Sequence, residues 1–330
     1  MKGELTRSAI EAIVREVATR LLATRPGAGA VGGKAAATVR AGTAQPSAEA
    51  SFSSPEALAI RKEIVTVGRK LWERQYVDGN GGNISARLTE NTVICTPTMI
   101  SKADLTTNDL CLVDLDGNQL AGSRRRSSEI LLHLEIFKAV PQAGAVIHCH
   151  SPHATAYAIT GRVPPGCFVA EHEVFIGPVA LVPYETPGTK VCAESVLPYV
   201  HDHNTILLAN HGVVCWGDTV THAEWYVEVA DTTCRILILA SHLGASPARI
   251  PAAKVGDLLA MKNRLGLPDA RFSLPKRLWA EPSAARGAIA AKPRERAARQ
   301  VRHRKHELDM ERLVQAVTDQ VVAALGVTPE

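Results

Sequence analysis

No stretch of the 330-residue chain approaches the roughly 20 consecutive apolar residues that a membrane span needs. Charges are scattered through the N-terminal residues, where a secretory signal would be uniformly apolar. The chain therefore reads as cytoplasmic. It has no Cys-x-x-Cys pair, and its seven cysteines are an odd number, which argues against a disulfide framework and against a thiolate zinc site. The expectation is buried thiols acting as small hydrophobes. The formal charge of +4 is concentrated in one run: Arg286 to His306 holds eight Lys/Arg against a single acid, Glu295. What remains is slightly acidic, so no basic body for nucleic acid exists. The run itself has no interleaved aromatics and sits in Ala/Arg/Pro composition, as a solvated linker does.

What is present divides the chain into five parts. Residues 1–24 carry Leu5, Ile10, Ile13, Val14, Val17, Leu21 and Leu22 at helical spacing with charges on the other faces, an amphipathic docking helix. Residues 25–54 are rich in Gly, Ala, Ser, Thr and Pro and read as a linker. After the basic linker 283–306, residues 307–330 repeat the stripe through Met310, Leu313, Val314, Val317, Val321, Val322 and Leu325. Ile10 to Val17 and Met310 to Val317 place an acid and valines in the same columns, which suggests one docking helix copied at each end. Such helices need an apolar groove on another protein.

The chain's 46% hydrophobic content is enough to bury a sizeable core, and its middle, residues 55–282, reads as one α/β domain. Helical spacing covers Pro55 to Gln75, Ser127 to about Val140, Ala154 to Ile159, Pro187 to Val200 and Thr219 to Leu243. Strand-like runs are Asn83 to Arg87, Thr92 to Thr98, Leu110 to Leu115, Ala143 to His150, Val179 to Pro183 and Thr205 to Asn210. Strands and helices do not alternate strictly, so a mixed or largely antiparallel sheet flanked by helices is expected.

The informative stretch is Val146-Ile147-His148-Cys149-His150. On a strand, residues two apart face the same way, so His148 and His150 form a pair suited to one divalent ion, and Cys149 turns into the core. His211 leaves another apolar strand beside Gly212, whose missing side chain leaves room for close approach. Three imidazoles with an open fourth position are the pattern of a catalytic zinc-type site. Glu129, in the first turn of its helix at the positive end of the dipole, is the candidate base.

Taken together, Gly82-Asn83-Ile84-Ser85, Thr96-Pro97-Thr98, Ser127-Ser128-Glu129, His148-x-His150 and Asn210-His211-Gly212 resemble the class II aldolase/adducin family, in particular its fuculose-phosphate aldolase-like members. The resemblance spans about residues 56 to 265. It implies an α-β-α sandwich, a homotetramer with the active site at a subunit interface, and Zn2+, or Co2+ or Mn2+, on His148, His150 and His211. Glu129 would be fourth ligand and base; Asn83, Thr98, Ser127 and Ser128 would hold a substrate phosphate. The implied reaction is cleavage of a deoxy-ketose 1-phosphate, of the fuculose or rhamnulose type, to dihydroxyacetone phosphate and lactaldehyde. A phosphopentose 4-epimerase on the same fold, and a non-catalytic adducin-like binding module, are the other two readings.

Two positions depart from the family pattern. Its Thr-Gly phosphate turn is Thr98-Met99 here, so a close backbone approach is expected to be lost or shifted. The tyrosine that protonates the aldehyde oxygen falls near Phe168, with Glu171, His172, Glu173 and Tyr184 in the vicinity. The terminal helices on Ala/Gly/Pro-rich linkers resemble the encapsulation peptides of bacterial microcompartment enzymes, which implies shell proteins as partners.

Overall fold

The computed structural model describes residues 47–244 and 246–281. The expected docking helices 1–24 and 307–330 and the linker 283–306 lie outside the described residues. The expected linker 25–54 overlaps them at its end, and there a helix stands instead: α1 (Ala48–Phe52), started by the Ser47 hydroxyl, which accepts from the Ala50 N–H at 3.2 Å. Phe52 is buried, with the Arg61 guanidinium 4.5 Å from its ring centre. The folded unit thus extends N-terminal to residue 55. Ser54 caps α2 (Pro55–Glu73) with Pro at its first position, where a missing N–H costs nothing.

Eight strands form one sheet: β1 (Asn83–Thr89), β2 (Thr92–Cys95), β3 (Cys111–Asp114), β4 (Gln119–Ala121), β5 (Ala145–Cys149), β6 (Ala180–Val182), β7 (Thr205–Leu208) and β8 (Gly212–Gly217). Their order is β4-β3-β2-β1-β5-β8-β7-β6. Every neighbouring pair is antiparallel except β6 with β7. The helices are α3 (Ile130–Ala139), α4 (Pro152–Ile159), α5 (Ala170–Phe175), α6 (Lys190–Glu194), α7 (Val220–Ser241) and α8 (Ala252–Arg264). Strand alternation sorts the core into two layers. Ile84, Ile94, Leu112, Ile147, Leu207 and Val213 pack with α2, α4 and α7, while Val93, Val113, Val146, Ile206 and Val214 pack with α3 and α6. The result is the expected α-β-α sandwich.

Two expectations need correction. The helix read over Pro187 to Val200 is α-helical only across Lys190–Glu194. Pro198 lacks an N–H, and its ring would press on the Glu194 carbonyl, so the helix stops there and the chain continues in turns. Strands β4 and β8 and helices α5 and α8 were not anticipated; β8 follows β7 after only three residues, and the apolar runs merge in the sequence.

Beyond α7, the chain is clasped by buried charges. The Arg271 guanidinium binds the Glu173 carboxylate at 2.5 Å and both oxygens of Asp269 at 2.8 Å, and Lys262 reaches Asp269 at 3.0 Å. All four are buried, two cations against two anions. Burial pushes the Asp269 carboxyl up, but the hydrogen bonds and charges of Arg271 and Lys262 outweigh it and hold the group down to about 2. Burial pushes the adjacent His172 down to about 4.

Replacing Arg271 by Met leaves two buried carboxylates short of a partner and should destabilise the fold by about 3–5 kcal/mol, read from the urea midpoint. A histidine whose pKa falls on folding binds its proton only in the unfolded chain. Stability should therefore be full above about pH 6.5 and decline toward pH 4, and His172→Gln should remove part of that slope. The depressed Asp269 group adds a second loss, from about pH 4 downward. A midpoint that stays constant between pH 7 and 4 would contradict the buried neutral state of His172.

Candidate metal centre

Strand pairing brings the separated histidines together. On β5, His148 lies opposite Asn83 of β1 and Val214 of β8, so its ring points to the α3 side of the sheet. Cys149 points to the other side and is buried in the core there, as expected. His150 follows the strand end, and its backbone N–H donates to the Tyr76 carbonyl at 2.9 Å. His211 occupies the short turn between β7 and β8. The turn is tight because Asn210 takes φ 55° and Gly212 has no side chain. A Cβ on Gly212 would run into the Cys149 carbonyl oxygen and come within 3.0 Å of the His150 ring. The expected room for a ligand at Gly212 is thus filled by the protein's own strand. Its glycine serves the approach of β8 to β5.

The ligand atoms of His148, His150 and His211 lie within 4.8 Å of one another. His148 Nε2 and His211 Nε2 are 3.2 Å apart. The Glu129 carboxylate faces both, with Oε2 at 3.5 Å from His148 Nε2 and Oε1 at 3.5 Å from His211 Nε2. Glu129 is the N-cap residue of α3, yet its side chain makes no capping hydrogen bond. It is held by Asn83, whose amide donates to Oε2 at 2.8 Å. Serving only as a helix cap is therefore not what this carboxylate does.

The ring tautomers follow from their other partners. His148 Nδ1 donates to the Val213 carbonyl at 3.0 Å, which leaves Nε2 as the lone-pair atom turned into the cluster. His150 Nδ1 is 3.2 Å from the Asp78 carboxylate, and its Nε2 is buried with no hydrogen-bond partner. Burial, then the neighbouring His211, His150 and His133, push His148 well below the usual imidazole range. Burial also lowers His211, against the pull of Glu129. Imidazole nitrogens gathered with a carboxylate, and an orphaned buried Nε2 among them, fit a divalent ion of the zinc type: three nitrogen donors, one oxygen and no thiolate.

The segments expected to hold a phosphate also meet here. Asn83 opens β1, Thr98 follows β2, and Ser127 and Ser128 precede α3. The Ser127 N–H donates to the Thr96 carbonyl at 3.1 Å, and the Thr96 hydroxyl accepts from the Ile84 N–H at 3.1 Å, which ties the three together. Asn83 and Ser127 are buried, Thr98 is half-buried and Ser128 exposed. The Asn83 amide nitrogen is committed to Glu129 while its Oδ1 is buried without a partner. Met99 keeps the left-handed backbone, φ 60°, that the glycine of the pattern would take freely, and its side chain stands 77% exposed. The left-handed turn is thus kept in the backbone, at a cost of about 1–2 kcal/mol for a residue with a side chain.

Of the residues considered for the aldehyde side, His172 and Glu173 are buried in the clasp with Arg271. That clasp is far from His211: Asn204, at the opposite end of β7, donates to the Phe175 carbonyl at the end of α5. Tyr184 and Glu171 are exposed, and Phe168 lies under the Arg249 guanidinium. Two residues escaped the sequence reading. Asp78, which orients His150, is hidden in a glycine-rich turn with no distinguishing pattern. His133, one helical turn after Glu129 and bonded to the Ser85 hydroxyl at 2.6 Å, backs His148 from below; its i+4 spacing from Glu129 was the available signal.

Comparison with known proteins agrees with this geometry. Residues 62–238 match the model of the Class II Aldolase and Adducin N-terminal domain. The chain is 33% identical over 183 residues to the 3-oxo-tetronate 4-phosphate decarboxylase of Haemophilus influenzae, covering 54% of this chain and 87% of that one. It is 34% identical over 185 residues to the L-fuculose phosphate aldolase of Methanococcus maripaludis, covering 55% and 97%. A solved L-fuculose 1-phosphate aldolase superposes with a TM-score of 0.57 at 27% identity, over 63% of this chain and 97% of that one. With that family model matched across more than half of its length, the chain belongs to the class II aldolase and adducin family.

Proposed function

We propose that this protein is a metal-dependent aldehyde-lyase that cleaves a deoxy-ketose 1-phosphate, of the fuculose or rhamnulose type, to dihydroxyacetone phosphate and lactaldehyde. The carrying observation is one cluster in which three imidazole nitrogens within 4.8 Å face a carboxylate that no capping or salt-bridge duty to Lys or Arg claims among the described residues. His148, His150 and His211 are the proposed ligands, with Glu129 as fourth ligand and base. A divalent ion there, Zn2+ or alternatively Co2+ or Mn2+, would supply Lewis-acid polarisation of the substrate carbonyl. The chain's own groups account for the rest. The Asn83 amide fixes the Glu129 carboxylate, so the base is positioned before substrate arrives. In cleavage the C4 hydroxyl gives its proton to solvent as the C3–C4 bond breaks, the electron pair stays on C3, the aldehyde departs with C4, and protonated Glu129 delivers its proton to C3; in the addition direction ionised Glu129 removes that proton and the aldehyde oxygen takes one from solvent. The second N–H of the Asn83 amide and the hydroxyls of Thr98, Ser127 and Ser128 are the proposed donors to the phosphate, near the start of α3, where a helix dipole favours an anion.

A second reading is supported by the relative named as a 3-oxo-tetronate 4-phosphate decarboxylase at similar identity. Loss of carbon dioxide from a 3-oxo acid and retro-aldol cleavage both leave an electron pair beside a carbonyl, so the same cluster serves either. An epimerase would re-add the aldehyde within the site and release none. A non-catalytic adducin-like role would leave the histidine cluster without purpose. The family resemblance also favours a homotetramer.

A panel of ketose 1-phosphates and 3-oxo acid phosphates, assayed for aldehyde and for carbon dioxide, separates these readings. Aldehyde release from a ketose 1-phosphate is expected, with loss on chelation and recovery on adding Zn2+, Co2+ or Mn2+. Glu129→Gln should lower turnover by 10²-fold or more while metal content stays above half of wild type; undiminished turnover would remove Glu129 as the base.

For the chain ends we propose docking to microcompartment shell proteins through residues 1–24 and 307–330, supported by their matching apolar stripes. A variant lacking residues 1–46 and 306–330 keeps α1 with its buried Phe52 and should retain full turnover but no longer co-sediment with shells. Undiminished packaging of that variant would end the docking proposal.

A further inference from the structure

Lys102 is among the most buried side chains of the protein, at 1% exposure, and lies outside every motif considered above. Its ammonium donates to two backbone carbonyls, Asn80 at 3.1 Å and Ile100 at 3.1 Å. Among the described residues no carboxylate lies within ion-pair distance of it. A buried ammonium is expected to be paired, because removing it from water costs several kcal/mol that two neutral carbonyls do not return. The contrast within this protein is direct: Lys262 and Arg271, equally buried, have Asp269 and Glu173 against them.

The position of Lys102 explains why it stands alone. Asn80 belongs to the glycine-rich turn that leads into Asn83, and Ile100 follows the Thr98-Met99 turn. Lys102 therefore bridges the loop that leads into Asn83 and the one that follows Thr98, two of the proposed phosphate residues. Met99 is itself tied back to the first loop, the Asn80 amide reaching its sulfur at 3.4 Å. The remaining surroundings are uncharged: α2 packs on Lys102 with Gly68, where a Cβ would sit 3.3 Å from the Lys102 carbonyl, and Leu105 closes the same side. The one charged group whose field reaches it among the described residues is Glu129.

We propose that Lys102 is a positioning residue that supplies the buried counter-charge for the phosphate of the substrate, holding the Asn80 and Ile100 carbonyls turned inward and presenting a net positive field to the anion from behind both loops. This rests on the reading of the site as one for a phosphorylated substrate. The carbonyl dipoles of both loops would otherwise oppose a dianion; with Lys102 bound to them, their negative ends are neutralised. A paired lysine could not serve this purpose, since a resident carboxylate would cancel the field. Burial pushes the Lys102 ammonium down to about 8, against the opposing pull of Glu129, and an anion arriving nearby would raise it again.

The test uses the metal-loaded protein with sulfate as probe, a dianion that does not titrate between pH 6.5 and 9.5, followed by calorimetry. Wild-type affinity for sulfate should fall as pH rises through about 8. Lys102→Arg, charged throughout, should hold its affinity to pH 9.5. Lys102→Met should bind sulfate about tenfold more weakly at pH 7, and its KM for the ketose 1-phosphate should rise by a similar factor with kcat little changed, because the group acts on the end of the substrate that does not react. Should Lys102→Met fail to fold, the wild-type and Lys102→Arg pH profiles decide by themselves. A wild type that cleaves ketose phosphates while Lys102→Met binds sulfate equally well, or while both pH profiles are flat, overturns the role of Lys102 alone. A wild type that turns over no phosphorylated substrate overturns the reading of the site, and the counter-charge with it.

Discussion

The contact on which the site depends is the antiparallel pairing of β5 with β8, and within it the place where Gly212 meets the Cys149 carbonyl. His148 and His211 are 63 residues apart in the chain and have Nε2 atoms 3.2 Å apart in space because these two strands run side by side in one register. A slip of one residue would turn His148 to the α7 side and Cys149 to the α3 side. The β1 strand on the other flank of β5 delivers Asn83 opposite His148, and so delivers the amide that holds Glu129. The backbone hydrogen bonds of three adjacent strands thus set the positions of four functional groups, on the least deformable part of the protein.

Buried charge is handled in two ways in this molecule. In the clasp of Glu173, Lys262, Asp269 and Arg271 every ion has an opposite one in hydrogen-bond contact. That arrangement holds the segment after α7 against α5 and does so without a net field. Around Glu129 and Lys102 the ions stand apart and are each held by neutral groups, an amide or backbone carbonyls. Ions kept apart retain fields that a ligand or a cation can answer. The strained Met99 backbone and the unpartnered nitrogen of His150 lie in the same neighbourhood, so the stresses of the fold collect where chemistry is proposed.

Much of the layout was legible from local pattern. The apolar β-formers Val146 and Ile147 mark a short buried strand, and a strand's period of two put His148 and Cys149 on opposite sides, as found. Ser54-Pro55 marked a helix start, and the spacing of five short motifs pointed to the family. Pattern failed where one residue overrode a longer signal, as Pro198 did after Glu194, and where two strands followed each other with only Ala209-Asn210-His211 between them. It also misjudged Gly212, because a sequence shows that a side chain is missing and not which atom uses the space.

The sequence by itself determined the donor types: imidazoles two apart on a strand, a carboxylate at a helix start, a third imidazole at a strand end, and hydroxyl-rich turns. Those properties depend on residue identity and on periodicity over a few positions. Only the tertiary structure decided which groups support them. Asp78 on His150, Asn83 on Glu129, His133 behind His148 and Lys102 beneath two loops are contacts between distant segments, and each depends on sheet register and burial. No local pattern encodes those, because solvation and charge at a point are set by everything packed around it.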